Sequence, residues 1–124
     1  MKYLTFVRHT EAHRKGGGPP PALFQAMGEF VERSRAAGTL VDTGGLMPSK
    51  DGFKIRLASG KMTVIDGPFT ESKEVIGGWA ILQATSREQV MRIANDFMEL
   101  HRKHWPEFEG ECEVRPMAEM GAHP

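Results

Sequence analysis

The sequence predicts an α+β domain, an antiparallel sheet carrying two amphipathic helices on one face. Three observations carry this expectation. Apolar residues recur at helical spacing twice, at Leu23, Met27, Phe30 and Val31 and again at Val90, Ile93, Ala94 and Phe97. Around these stripes lie short runs of strand length, some with two-residue alternation. Glycine and proline clusters separate the runs, as turns require.

Taken in order, Tyr3 to Val7 is a first strand that Arg8-His9 stops. In the linker Gly16-Gly17-Gly18-Pro19-Pro20-Pro21 glycine allows freedom that proline restricts, so the prolines are expected to stiffen the entry to the first helix. Gly38 suits the left-handed stop of that helix. Leu40-Val41 open a second strand, interrupted by Gly44-Gly45 and Pro48. Phe53, Ile55 and Leu57 alternate with Lys54 and Arg56, and Ser59-Gly60 turns this strand tightly into Met62 to Ile65. Ile76 to Ala84 is a strand apolar on both faces. Ser86 with Gln89 forms a capping box for the second helix, which Arg102, Lys103 and His104 close. Cys112 and Val114 alternate with acids and a base in a last strand that Pro116 ends.

The 124 residues suffice for one domain, 1–124, with no internal repeat. Sixteen basic and sixteen acidic residues cancel, so nucleic acid is not an expected partner. A single cysteine, Cys112, cannot close an intrachain disulfide, which fits a reducing cytoplasm. Met1-Lys2 runs straight into the first strand without an apolar leader, and no apolar run approaches membrane-spanning length. A soluble cytoplasmic protein is expected.

Two helices cover one face of the sheet. Tyr3-Leu4-Phe6-Val7 and Trp79-Ala80-Ile81-Leu82 are apolar on both faces, so the second face needs a cover as well. A second copy of the chain is the simplest one, and a homodimer packed sheet to sheet is expected.

The stretch Lys61 to Glu74 is the most specific: a β-patterned run reaches Asp66, turns through Gly67-Pro68 and leaves Phe69-Thr70-Glu71-Ser72-Lys73-Glu74. The Asp66-Gly67-Pro68-Phe69 core resembles the signature of YCII-related proteins of the DGPF type. Met1 to Val7, Ala26-Met27-Gly28, Ala37-Gly38-Thr39-Leu40, Gly44-Gly45-Leu46 and Glu113-Val114-Arg115-Pro116 extend the resemblance over most of the chain. It implies a ferredoxin-like domain that pairs into a dimeric α+β barrel, mostly of unassigned function and often accompanying alternative sigma factors. This chain departs from many such relatives at Thr43-Gly44-Gly45-Leu46-Met47-Pro48, where they carry Gly-Glu-Gly-Leu-His-Pro. The acid and the imidazole are both missing. Glu99 to Gly110 also looks longer than usual.

Asp66 and His9 are the candidate catalytic residues. A strand-end carboxylate in a partly dry pocket can serve as general base or acid, and Asp before Gly-Pro can equally accept backbone N–H groups and order a turn. Arg8, Phe69, Glu71, Lys73, Gly44 and Gly45 form the candidate substrate-binding set. Arg8-His9-Thr10-Glu11 is similar to the Arg-His-Gly-Glu segment of histidine phosphatases, but Thr10 replaces the glycine and the chain is too short for that fold. His9 and His13, with Glu11 between them, would share a face only in a helix, which the following glycines and prolines oppose, and spacing places no further ligand; Arg14-Lys15-Gly16-Gly17-Gly18 lacks the Gly-Lys-Ser/Thr of a phosphate loop. No metal and no cofactor are expected.

Three functional readings stay open. One is a regulatory module binding a small molecule in a cleft near the Asp66 loop. Another is a cofactor-independent lyase or isomerase-like enzyme with Asp66 as base and Arg8 or His9 steadying an anion. The third is a structural dimer without a site.

Overall fold

The computed structural model describes residues 1–10, 18–69 and 74–119. Strand β1 spans Lys2–Thr10, helix α1 Pro21–Ala36 and β2 Leu40–Gly45. After one 3-10 turn at Ser49–Asp51 come β3 (Phe53–Ala58), β4 (Lys61–Asp66), β5 (Glu74–Gln83), helix α2 (Arg87–His104) and β6 (Gly110–Pro116). Four strands pair antiparallel in the order β2-β5-β1-β6. Each helix connects strands that are not neighbours, which is the ferredoxin-like arrangement.

The helix boundaries follow local chemistry. Pro21 opens α1, where its missing N–H costs nothing, and Gly38 leaves the helix at a φ of 77°. Ser86 Oγ accepts from Gln89 N at 3.1 Å and so caps α2. The reciprocal half of the capping box lands one residue earlier than expected. Gln89 Oε1 accepts from Thr85 N at 2.7 Å and Thr85 Oγ1 at 3.0 Å. His101, Arg102, Lys103 and His104 occupy the last turn of α2.

β1 is longer than the apolar run suggests, because pairing continues through Arg8 and His9. The β1–β5 register slips between Val7 and Arg8, leaving Gly77 as the extra residue of a β-bulge. Cross-strand pairs fix the faces. Thr5 opposes Ala80 and Tyr3 opposes Leu82, towards the helices, whereas Leu4–Ile81 and Phe6–Trp79 lie on the outer face. Tyr3, Leu82, Ala84 and Val90 form the core, with Leu40, Ala80, Ile93 and Val114 packed against it. Leu23 on α1 is fully buried, and Phe30 meets Phe97 across the two helices at 5.7 Å between ring centroids.

The β3–β4 hairpin corrects the expectation of a single sheet. It turns through Ser59 and Gly60, both at positive φ as the two-residue turn requires, but it pairs only with itself. Its pattern is right and its apolar face is bare. Phe53, Ile55, Leu57, Met62 and Val64 are each 60–72% exposed.

Candidate functional site

A cavity of about 830 Å³ opens between the helices and the sheet. Helix α1 contributes Leu23, Met27, Phe30 and Val31, and α2 contributes Ile93, Ala94, Phe97 and His101. These are the two apolar stripes of the sequence, facing each other without meeting along their whole length. The sheet supplies Thr5, Val7 and Ala80 as the floor. Trp105 and Phe108, from the stretch after α2, and His9 and Cys112 close one end.

That end is an aromatic cluster. His101 stands edge-on to Phe97 at 5.0 Å and tilted against Phe108 at 4.8 Å, while Phe108 also contacts Trp105 at 5.1 Å and His9 at 6.3 Å. The His9 ring fits because its neighbour across the bulge is glycine. A Cβ on Gly77 would stand 2.7 Å from His9 Nε2. Gly110 is likewise enclosed by the Arg8 carbonyl and the Phe108 ring, so the chain turns sharply back under the cluster.

His101 is 6% exposed. Its Nδ1 lies 3.1 Å from the Phe97 carbonyl, one helical turn back, and a carbonyl can only accept, so Nδ1 carries the proton. Burial holds its pKa below the ordinary 6.5; the Phe97 bond opposes this and charge on His9 adds to it. The ring is therefore neutral near pH 7, with its Nε2 lone pair free of any described residue. Burial also pushes the Cys112 thiol up from 9.0, so it stays protonated and is a poor nucleophile.

The residues singled out by the sequence separate into three places. His9, Gly44 and Gly45 line the cavity. Arg8, the next residue along β1, points to the opposite face of the sheet, 5.1 Å above the Phe6 ring and 3.3 Å from Glu113. Asp66 is exposed at the end of β4 and Phe69 packs against the Lys54 ammonium at 4.3 Å; neither lines the cavity. Glu71 and Lys73 lie outside the described residues, as do Glu11 and His13. Among the described residues no group of three or more His, Cys, Asp or Glu could hold a metal ion.

The Asp66-Gly67-Pro68-Phe69 loop has a structural task beside the cavity rim. Leu46, Met47 and Pro48 form that rim, and Ser49 follows. Gly67 N donates to Gly52 O at 2.9 Å, and Phe69 N donates to Ser49 Oγ at 3.4 Å. Any Cβ at Gly67 would run into the Ser49 carbonyl. The Gly67–Pro68 peptide is cis. The loop thus clamps the 49–52 turn and holds the rim in place.

Sequence reading passed over Gly77, Trp105, Phe108 and above all His101. A signal for His101 existed. Val90, Ala94, Phe97 and His101 continue one helical stripe, and an imidazole on an apolar stripe is a buried imidazole.

The four-stranded sheet and the two helices define a ferredoxin-like α+β domain with an internal apolar cavity between them. The chain belongs to the YCII-related domain family, which matches residues 1–100. A curated relative, uncharacterized protein R00369 of Rhizobium meliloti (strain 1021), is 30% identical over 82 residues. That alignment covers 66% of this chain and 62% of the relative, so the chain spans less than two thirds of the protein it matches. Among solved structures, the de novo designed protein Foldit4 covers 95% of this chain and is itself covered completely (100%), at 11% identity and a TM-score of 0.45, too loose a likeness to bear on function.

Proposed function

We propose that this protein is a cytoplasmic, homodimeric module that binds a small apolar molecule between its helices and its sheet, in a regulatory rather than a catalytic role. One observation carries the reading: an apolar cavity of about 830 Å³ stands where a domain of this size would otherwise have packed core. Protein interiors are close-packed, and a space of this size falls in the range of small-molecule sites. Titration with N-phenyl-1-naphthylamine, a neutral dye that brightens in apolar surroundings, tests it. One dye per chain at micromolar affinity is the expected result; no brightening, or brightening without saturation, refutes the reading.

The homodimer is supported by the bare apolar face of the β3–β4 hairpin and by the outer sheet face bearing Leu4, Phe6, Trp79 and Ile81. An isolated two-stranded hairpin is marginal in water, and exposed apolar patches of this extent mark interaction surfaces. No helix of the described residues is long and apolar enough to cross a membrane.

A second reading, cofactor-free proton transfer, has one observation in its favour. His9 and His101 share the cavity, and charge on His9 disfavours charge on His101. In this form the imidazoles, not Asp66, would move the proton. Turnover within a panel of hydroxyaromatics and activated acids, lost on His9→Gln, would establish it.

A further inference from the structure

We propose that the ligand is an uncharged aromatic molecule bearing a hydroxyl group, held through donation of its O–H to Nε2 of His101. The proposal rests on the cavity being the binding site and goes on to name what enters it. Three properties of the walls select this chemistry.

The described lining contains no Asp, Glu, Lys or Arg. An ion entering would lose its hydration without gaining a countercharge, a penalty of several kcal/mol or more. The ligand is therefore neutral where it is enclosed.

The rings that line the closed end, Phe30, Phe97, Phe108 and Trp105, present faces and edges at varied tilts. A flat ligand meets such walls by edge-to-face and offset contacts, which favour aromatic over aliphatic occupants.

Polar specificity then depends on which lining groups remain open. Thr5 Oγ1 donates to Ala80 O at 3.1 Å and Thr43 Oγ1 to Trp79 O at 2.8 Å, so both hydroxyl protons are engaged by the sheet. His101 Nδ1 is engaged by Phe97 O. The Nε2 atom of this neutral, buried imidazole is a strong acceptor on the same wall as the Ser34 hydroxyl, and its natural complement is a donor on the ligand.

Three naphthalene probes of similar size separate the outcomes: 2-naphthol donates, 2-methoxynaphthalene cannot, and 2-naphthoate is charged. Affinities are read by calorimetry near pH 7.5 on the unaltered protein and on His101→Phe. The expected ranking in the unaltered protein is 2-naphthol first, about three- to tenfold tighter than 2-methoxynaphthalene, as one net hydrogen bond provides, with 2-naphthoate weakest. His101→Phe should bring 2-naphthol down to the level of 2-methoxynaphthalene and leave the latter nearly unchanged. Equal binding of 2-naphthol and 2-methoxynaphthalene, or tightest binding of 2-naphthoate, overturns the ligand class while leaving the cavity as a site. Failure of all three probes to bind overturns both. If His101→Phe does not fold, the ranking in the unaltered protein still decides.

Discussion

Gly77 faces the His9 imidazole so closely that a Cβ there would stand 2.7 Å from Nε2 and 3.0 Å from Cδ2. The bulge in β5 and the ring on β1 therefore form one unit, and His9 reaches the cavity because position 77 has no side chain.

Gly77→Ala should push the His9 ring out of place and destabilise the protein by about 1–3 kcal/mol, the range for overpacking. Dye affinity should fall with it. Gly28, inside α1, is the control: nothing stands within 4 Å of a Cβ there. Gly28→Ala should stabilise by roughly 0.5–1 kcal/mol through helix propensity and the unfolded state. Urea denaturation of both variants checks the contrast, and similar effects at the two sites would contradict it.

The clamp on the 49–52 turn separates two neighbours in the most specific motif of the chain. Gly67→Ala forces the loop off the Ser49 carbonyl and should cost about 2 kcal/mol or more, as backbone displacement does. Asp66→Asn alters an exposed side chain outside the cavity and should stay within about 0.5 kcal/mol, with dye affinity unchanged. A large loss of binding in Asp66→Asn would restore the carboxylate to the site.

Much of the fold was legible because it depends on periodicity. The two helical stripes, the Ser59-Gly60 turn and the alternation in β3 and β4 each appear where the pattern puts them. The site was less legible for a physical reason. Asp66 and the residues after it stand out as a motif, yet the part of it that clamps the 49–52 turn is Gly67 and the Phe69 N–H, and the carboxylate stands exposed. His101 and Phe108 stand 4.8 Å apart in space, and that proximity arises only when the chain after α2 turns back at Gly110. The bulge at Gly77 is a register slip between strands, which no single strand records.

The His101 titration gives a pH prediction with a definite sign. Its pKa in the folded protein is below the ordinary 6.5, so the unfolded chain binds the proton more readily. The neutral ring's contribution is present in full above pH 6.5 and is lost as pH falls below it towards the folded value. Melting temperature should drop between pH 7.5 and pH 5, and His101→Phe should flatten that drop. An unchanged slope in the variant would mean that another group governs acid sensitivity.

The hairpin supplies a test of association that leaves the core alone. Ile55→Lys with Leu57→Glu changes two exposed side chains and should alter chain folding by little, while placing unpaired charges in the proposed interface. Light scattering at micromolar concentration should give a dimer for the unaltered chain and a monomer for the double variant, with circular dichroism unchanged. A monomeric unaltered chain would refute the homodimer.

The central claim is that the space between the helices and the sheet holds the ligand, and Ala94 offers the most direct test. It is half-buried on α2 and faces that space. Ala94→Phe should fill part of the cavity, raising stability by about 0.5–2 kcal/mol as cavity-filling substitutions commonly do, and should abolish binding of N-phenyl-1-naphthylamine. The account predicts a more stable protein that no longer takes the dye. A folded Ala94→Phe that binds the dye with unchanged affinity would place the ligand elsewhere and contradict it.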